Sequence, residues 1–96
     1  MKQLLISLPT DPVSLARTLM PQALEVRHRF EPQGVSIVRL GQRGSIALHT
    51  WPELHRATLD CYGVVIDTVV AHLESEGITV LATLNPTEDS WNSCTS

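Results

Sequence analysis

Ten residues, Gly44 to Glu53 (GSIALHTWPE), put a serine, a histidine and a glutamate on and just beyond a short β-run. Ser45, Ala47 and His49 fall on one face of such a strand, because side chains alternate with period two. An imidazole beside a serine hydroxyl is the arrangement that activates an oxygen nucleophile, the ring taking the proton. The same chemistry asks for a third group to orient the ring, and none stands at a telling spacing. His49 therefore also reads as a hydrogen-bonded structural histidine, and Ser45 as a hairpin residue. Glu53 follows a Trp-Pro break, where an acid suits the first turn of a helix. His28, His55 and His72 share no metal-ligand spacing, so no metal site is expected. Cys61 reads as a small buried hydrophobe. Cys94 lies in a polar tail, so no disulfide is expected, which fits a reducing cytoplasm.

The elements that must position these residues follow from periodicity. Lys2 to Leu8 reads as a strand with Leu4, Ile6 and Leu8 on one face. Thr10 or Asp11 caps a helix whose first turn holds Pro12 and whose stripe is Leu15, Leu19 and Met20. Leu24, Val26, His28 and Phe30 alternate with Glu25, Arg27 and Arg29 in a half-buried strand. Pro32-Gln33-Gly34 is a turn signal. Val35 to Leu40 and Ser45 to Thr50 form a hairpin across the polar turn Gly41–Gly44, and Arg56 to Tyr62 is a fifth strand. Ile66, Val69, Val70 and Leu73 mark an amphipathic helix that Gly77 stops. Ile78 to Leu84 is the last strand. The order β-α-β-β-β-β-α-β predicts an α+β two-layer sandwich, a mainly antiparallel sheet with two helices on one face. Residues 1–84 form the domain, and 85–96 a polar, flexible tail.

The totals agree. A 96-residue chain with 43% hydrophobic and 18% charged residues is one globular domain. Net charge is -3 and no basic patch stands out, which argues against a nucleic-acid partner. The apolar run at the N-terminus stops at Pro9, short of a signal peptide or a membrane span.

Two segments, HRFEPQGVS at 28–36 and HTWPE at 49–53, together resemble the bacterial pyruvoyl-dependent S-adenosylmethionine decarboxylases. The resemblance runs without a gap from about His28 to Asp60. Members of that family cut themselves between a glutamate and a serine, and the serine becomes the pyruvoyl electrophile that holds the substrate amine. Where they read like ESHISIHTWPE, this chain reads RGSIALHTWPE. The resemblance puts the family's glutamate at Arg43 and its serine at Gly44, which has no hydroxyl. It puts the proton-donating cysteine at Val64 and the preceding threonine at Gly63, with Cys61 three places early. Other positions match. The resemblance gives Phe30 the stacking on adenine, Glu53 the ribose hydroxyls, and Ser36 and His49 parts in processing. Arg43 then reads either as an exposed turn residue or as a partner for a carboxylate.

These readings imply a member of polyamine metabolism that binds S-adenosylmethionine or a polyamine without decarboxylating it, and so needs no cofactor. It would act as a homodimer or pair with an active paralogue. Two alternatives stay open. One is an active decarboxylase that processes itself at Gly44-Ser45 and carries pyruvoyl there. The other is an enzyme using pyruvoyl-free chemistry on S-adenosylmethionine.

Overall fold

The computed structural model describes residues 2–30, 34–64 and 66–84. Nine elements succeed one another: β1 (Lys2–Ser7), α1 (Pro12–Leu19), β2 (Leu24–Phe30), β3 (Gly34–Leu40), β4 (Ser45–Trp51), a single 3-10 turn (Pro52–Leu54), β5 (Arg56–Tyr62), α2 (Ile66–Ser75) and β6 (Val80–Leu84). The six strands make one antiparallel sheet in the order β2-β3-β4-β5-β1-β6. This is the expected α+β sandwich, down to the element order. The last strand is shorter than expected: Ile78 N–H donates to Leu73 O in closing the end of α2 at Gly77, so β6 starts only at Val80. The turn expected at Pro32-Gln33 and the tail expected at 85–96 fall outside the described residues.

The alternation of each strand decides what the helices cover. Leu4 and Ile6 of β1, Ile37 of β3, Ile46 and Leu48 of β4, and Ala57, Leu59 and Cys61 of β5 are buried together with Leu15 and Ala16 of α1 and Val69 and Leu73 of α2. Asp11 caps α1, its carboxylate accepting from Ser14 N–H at 3.1 Å, and Pro12 opens the first turn. Burying these side chains supplies the main driving force, since each large aliphatic group taken fully out of water is worth about 1.5–3 kcal/mol.

Edge strand β2 faces the other way from what its composition suggests. Its alternation is as read, but Leu24 and Val26 are 76% and 63% exposed, while Glu25 between them is half-buried. The reason lies in the pairing: Val26 sits opposite Val38 and Leu24 opposite Leu40, on the sheet face that no helix among the described residues covers. Glu25 points to the helix side, where it meets a buried arginine. Arg39 donates from Nε to Met20 O at 2.7 Å and from Nη2 to Pro21 O at 3.3 Å, and Nη1 pairs with Glu25. Arg17 and Arg27 approach the same carboxylate at 3.5 and 3.1 Å. One side chain on β3 thus holds the end of α1 and the edge strand together.

Desolvation pushes the Glu25 carboxyl up, but the Arg39 hydrogen bond and the charges of Arg17, Arg27 and Arg39 outweigh it and hold it below its ordinary 4.5. A lowered folded-state value means the carboxylate stabilises the fold fully above the unfolded value and stops doing so as pH falls through the folded one. Glu25→Gln is expected to flatten the acid limb of the stability curve below pH 4.5, measured by urea unfolding across pH. Arg39→Ala, which leaves two carbonyls without their donor, is expected to cost about 2–3 kcal/mol in the same assay at neutral pH.

Candidate functional site

Pairing register assembles a group of side chains on the open sheet face. His28 and Phe30 of β2, Ser36 of β3 and His49 and Trp51 of β4 all share that face. Phe30 lies opposite Gly34, and its ring fills the space a side chain there would take: a Cβ on Gly34 would stand 2.2 Å from Phe30 Cε2. The missing side chain lets the ring cross β3 and reach β4. Phe30 and Trp51 come to 6.1 Å between ring centres at 60°, an edge-to-face approach, and His28 stacks on Phe30 at 6.5 Å. Beside this aromatic wall, Ser36 Oγ and His49 Nδ1 are 2.8 Å apart in a cross-strand hydrogen bond. Glu53 stands in the 3-10 turn directly after Trp51, exposed, at the same end of the sheet. The wall therefore offers a flat aromatic surface, one imidazole–hydroxyl pair and one carboxylate.

His49 and Ser45 are not brought together. Four strand steps set them roughly 13 Å apart, and the partner of His49 is Ser36. The third orienting group is also absent from the hydrogen bonds of the described residues. Sequence spacing pointed to the intrastrand serine because cross-strand neighbours are set by register, which the hairpin turn fixes and the residue pattern alone does not. Trp51, His28 and Gly34 were not singled out either; the i, i+2 spacing of His28 with Phe30 and of His49 with Trp51 carries that signal.

A second region lies at the far end of β4. A cavity of about 480 Å³ is lined by Leu19, Met20, Gly41, Arg43, Gly44 and Val64 among others. Gly44 and Val64 thus line the same hollow, on the helix side of the sheet. Ser45, pairing Leu40 and Tyr62, belongs to the open face and does not take the place of residue 44. Gly44 also has no room for a side chain: a Cβ there would stand 2.2 Å from Tyr62 O and 2.9 Å from the carbonyl carbon of Gly63. Gly63 is equally constrained, with φ at +76° and a Cβ position 2.3 Å from Arg43 O. The β3–β4 turn and the β5–α2 connection meet backbone to backbone at two glycines. Cys61 is directed away, into the core opposite Ile46, and burial together with the Asp60 charge pushes its thiol up to about 11, far from a ready proton donor.

Fold and site together define a small two-layer α+β domain with an aromatic, Ser–His-bearing wall on its uncovered sheet face. A family model described as S-adenosylmethionine decarboxylase matches residues 14–66, and the chain belongs to that family. Relatives include the S-adenosylmethionine decarboxylase proenzymes of Syntrophomonas wolfei, 51% identical over 37 residues (38% of this chain, 29% of the relative), and of Carboxydothermus hydrogenoformans, 38% identical over 52 residues (50% and 41%). That of Caldanaerobacter subterraneus is 39% identical over 61 residues, 54% of this chain and 49% of the relative. The matched stretch spans less than half of each of these relatives. Among the described residues no helix is long and apolar enough to cross a membrane, and no cluster of three His, Cys, Asp or Glu is arranged to hold a metal.

The glycine contact has a measurable cost of alteration. Gly44→Ala is expected to destabilise the fold by about 2–3 kcal/mol through the clash with the Tyr62 carbonyl, read as a lower urea midpoint at unchanged slope. Ser45→Ala on the open face is expected to stay within about 0.5 kcal/mol of the wild type.

Proposed function

We propose that this chain is a non-processing member of the S-adenosylmethionine decarboxylase family, which binds S-adenosylmethionine or a polyamine and acts in polyamine metabolism as a regulatory partner. The observation that carries this reading is the cavity shared by Gly44 and Val64. By resemblance these two positions hold the serine that becomes pyruvoyl and the cysteine that donates a proton. Here one has no side chain and no space for one, and the other is an aliphatic group. Neither a nucleophilic hydroxyl nor a titratable thiol is available at that point.

The binding half fares differently. Phe30 presents its ring beside Trp51, and Glu53 stands free of any ion pair among the described residues, in keeping with a purine stacked on the wall and hydroxyls held by a carboxylate. The wall and the Gly44 end lie at opposite ends of β3 and β4, roughly 20 Å apart. No single small molecule spans both within one chain. A second subunit laid face to face on the open sheet would cover the walls of both chains and leave the Gly44 hollow of each on its helix side. The exposed Leu24, Val26, Leu40, Trp51 and Tyr62 give that face the apolar character such a pairing uses. We therefore assign the chain a homodimeric state, or a heterodimeric one with an active paralogue.

One further reading has an observation behind it. The 2.8 Å contact between Ser36 Oγ and His49 Nδ1 is within the range for a base-activated hydroxyl, which favours pyruvoyl-free chemistry over self-processing at Ser45.

Mass spectrometry of freshly purified protein is expected to give one species near 10.6 kDa. Two fragments, the larger blocked by a pyruvoyl group at Ser45, would refute the non-processing reading. S-adenosylmethionine at about a hundredfold excess over Kd is expected to raise the melting temperature by on the order of 10 °C. It should be recovered unchanged, and Phe30→Ala should abolish the shift. Release of carbon dioxide or of any other product would favour an enzyme instead.

A further inference from the structure

Beyond that reading, the hollow at the far end of β4 has a chemistry of its own. Beside the cavity of about 480 Å³ lies a second of about 380 Å³, lined by Thr18 and Leu19 of α1, Arg43, Gly63, Val64, and Thr68, Val69 and His72 of α2. Leu19, Arg43 and Val64 line both, so the two are lobes of one cleft with Arg43 at their junction. Each lobe is of the size that takes a small organic ligand. The backbone contact between Gly44 and Gly63 is the rigid seam that sets the cleft beneath the two helices.

Charge narrows the ligand class. Arg17, Arg27 and Arg39 all converge on Glu25, and Arg56 donates to Leu54 O. Arg43 makes no ion pair or side-chain hydrogen bond among the described residues, and no Asp or Glu lines either lobe. Glu76, past the C-terminal end of α2, is held against His72. An unspent guanidinium between apolar walls of Leu19, Met20, Val64 and Val69 suits a planar oxyanion carried on an apolar body, because its donors match carboxylate and phosphate oxygens in pairs.

We propose that the cleft centred on Arg43 binds a small organic anion, a carboxylate or phosphate monoester on an apolar or aromatic body, at a site that shares no residue with the Phe30–Trp51 wall. The guanidinium holds the anion at the junction of the lobes, with the amides of Gln22 and Gln42 lining the outer one. The body lies against Leu19, Val64 and Val69.

The test uses 1-naphthyl phosphate as probe, titrated into isotope-labelled protein and followed by amide resonances. Saturable shifts are expected at Leu19, Arg43, Gly44, Val64 and His72. 1-Naphthol and inorganic phosphate, each carrying one half of the probe, are expected to bind at least about tenfold more weakly. Arg43→Gln is expected to weaken the probe at least about tenfold and Arg43→Lys to retain part of the affinity. Arg43 is exposed, so neither variant endangers the fold. Shifts confined to Phe30, His49 and Trp51, equal binding by 1-naphthol, an Arg43→Gln protein that binds as the wild type does, or no saturation by about 5 mM would each overturn the proposal. The S-adenosylmethionine reading is scored separately by the Phe30→Ala melting shift, so either can fail alone.

Discussion

A six-stranded sheet has two faces, and among the described residues helices cover only one. That shortfall governs the rest of the molecule. The covered face takes the aliphatic core and drives folding. The uncovered face keeps a row of apolar and aromatic groups in solvent, Leu24, Val26, Leu40, Trp51 and Tyr62 among them. A small domain can bury only part of its surface by itself. What lies on the open face is thus available either to a flat ligand or to another sheet. The aromatic wall and the Ser36–His49 pair are there because the face is open.

Much of the fold was legible in the residues. Pro12 after Asp11, the break at Trp51-Pro52, and the i, i+3, i+4, i+7 stripe of α2 all act within a few residues, so they can be read locally. The orientation of β2 was not legible in the same way. Its apolar set suggests an inward face, yet Glu25 takes the inward position because Arg39, fourteen residues away in sequence, offers it a buried partner. That preference belongs to the pair and is invisible in either segment alone.

The site divides similarly. Phe30, Ser36, His49 and Glu53 were named from motifs, and the first three do meet on one face. Their bonding was not in the motifs, because it depends on strand register: Ser36 opposite His49, and Gly34 opposite Phe30 so that a ring can lie across a bare backbone. Gly44 stands out in the sequence for having no hydroxyl. The structure adds that it also has no room for one, and that Gly63 is the other half of the same contact.

That mutual contact makes one mechanical unit of two connections that are far apart in the chain. The backbone at each glycine occupies the space that a side chain at the other would need. A substitution at either position therefore pushes on both connections at once, and a second substitution at its neighbour adds to the same strain without relieving it. The seam behaves as a weld between the β3–β4 turn and the start of α2, so that strain at one is felt at the other.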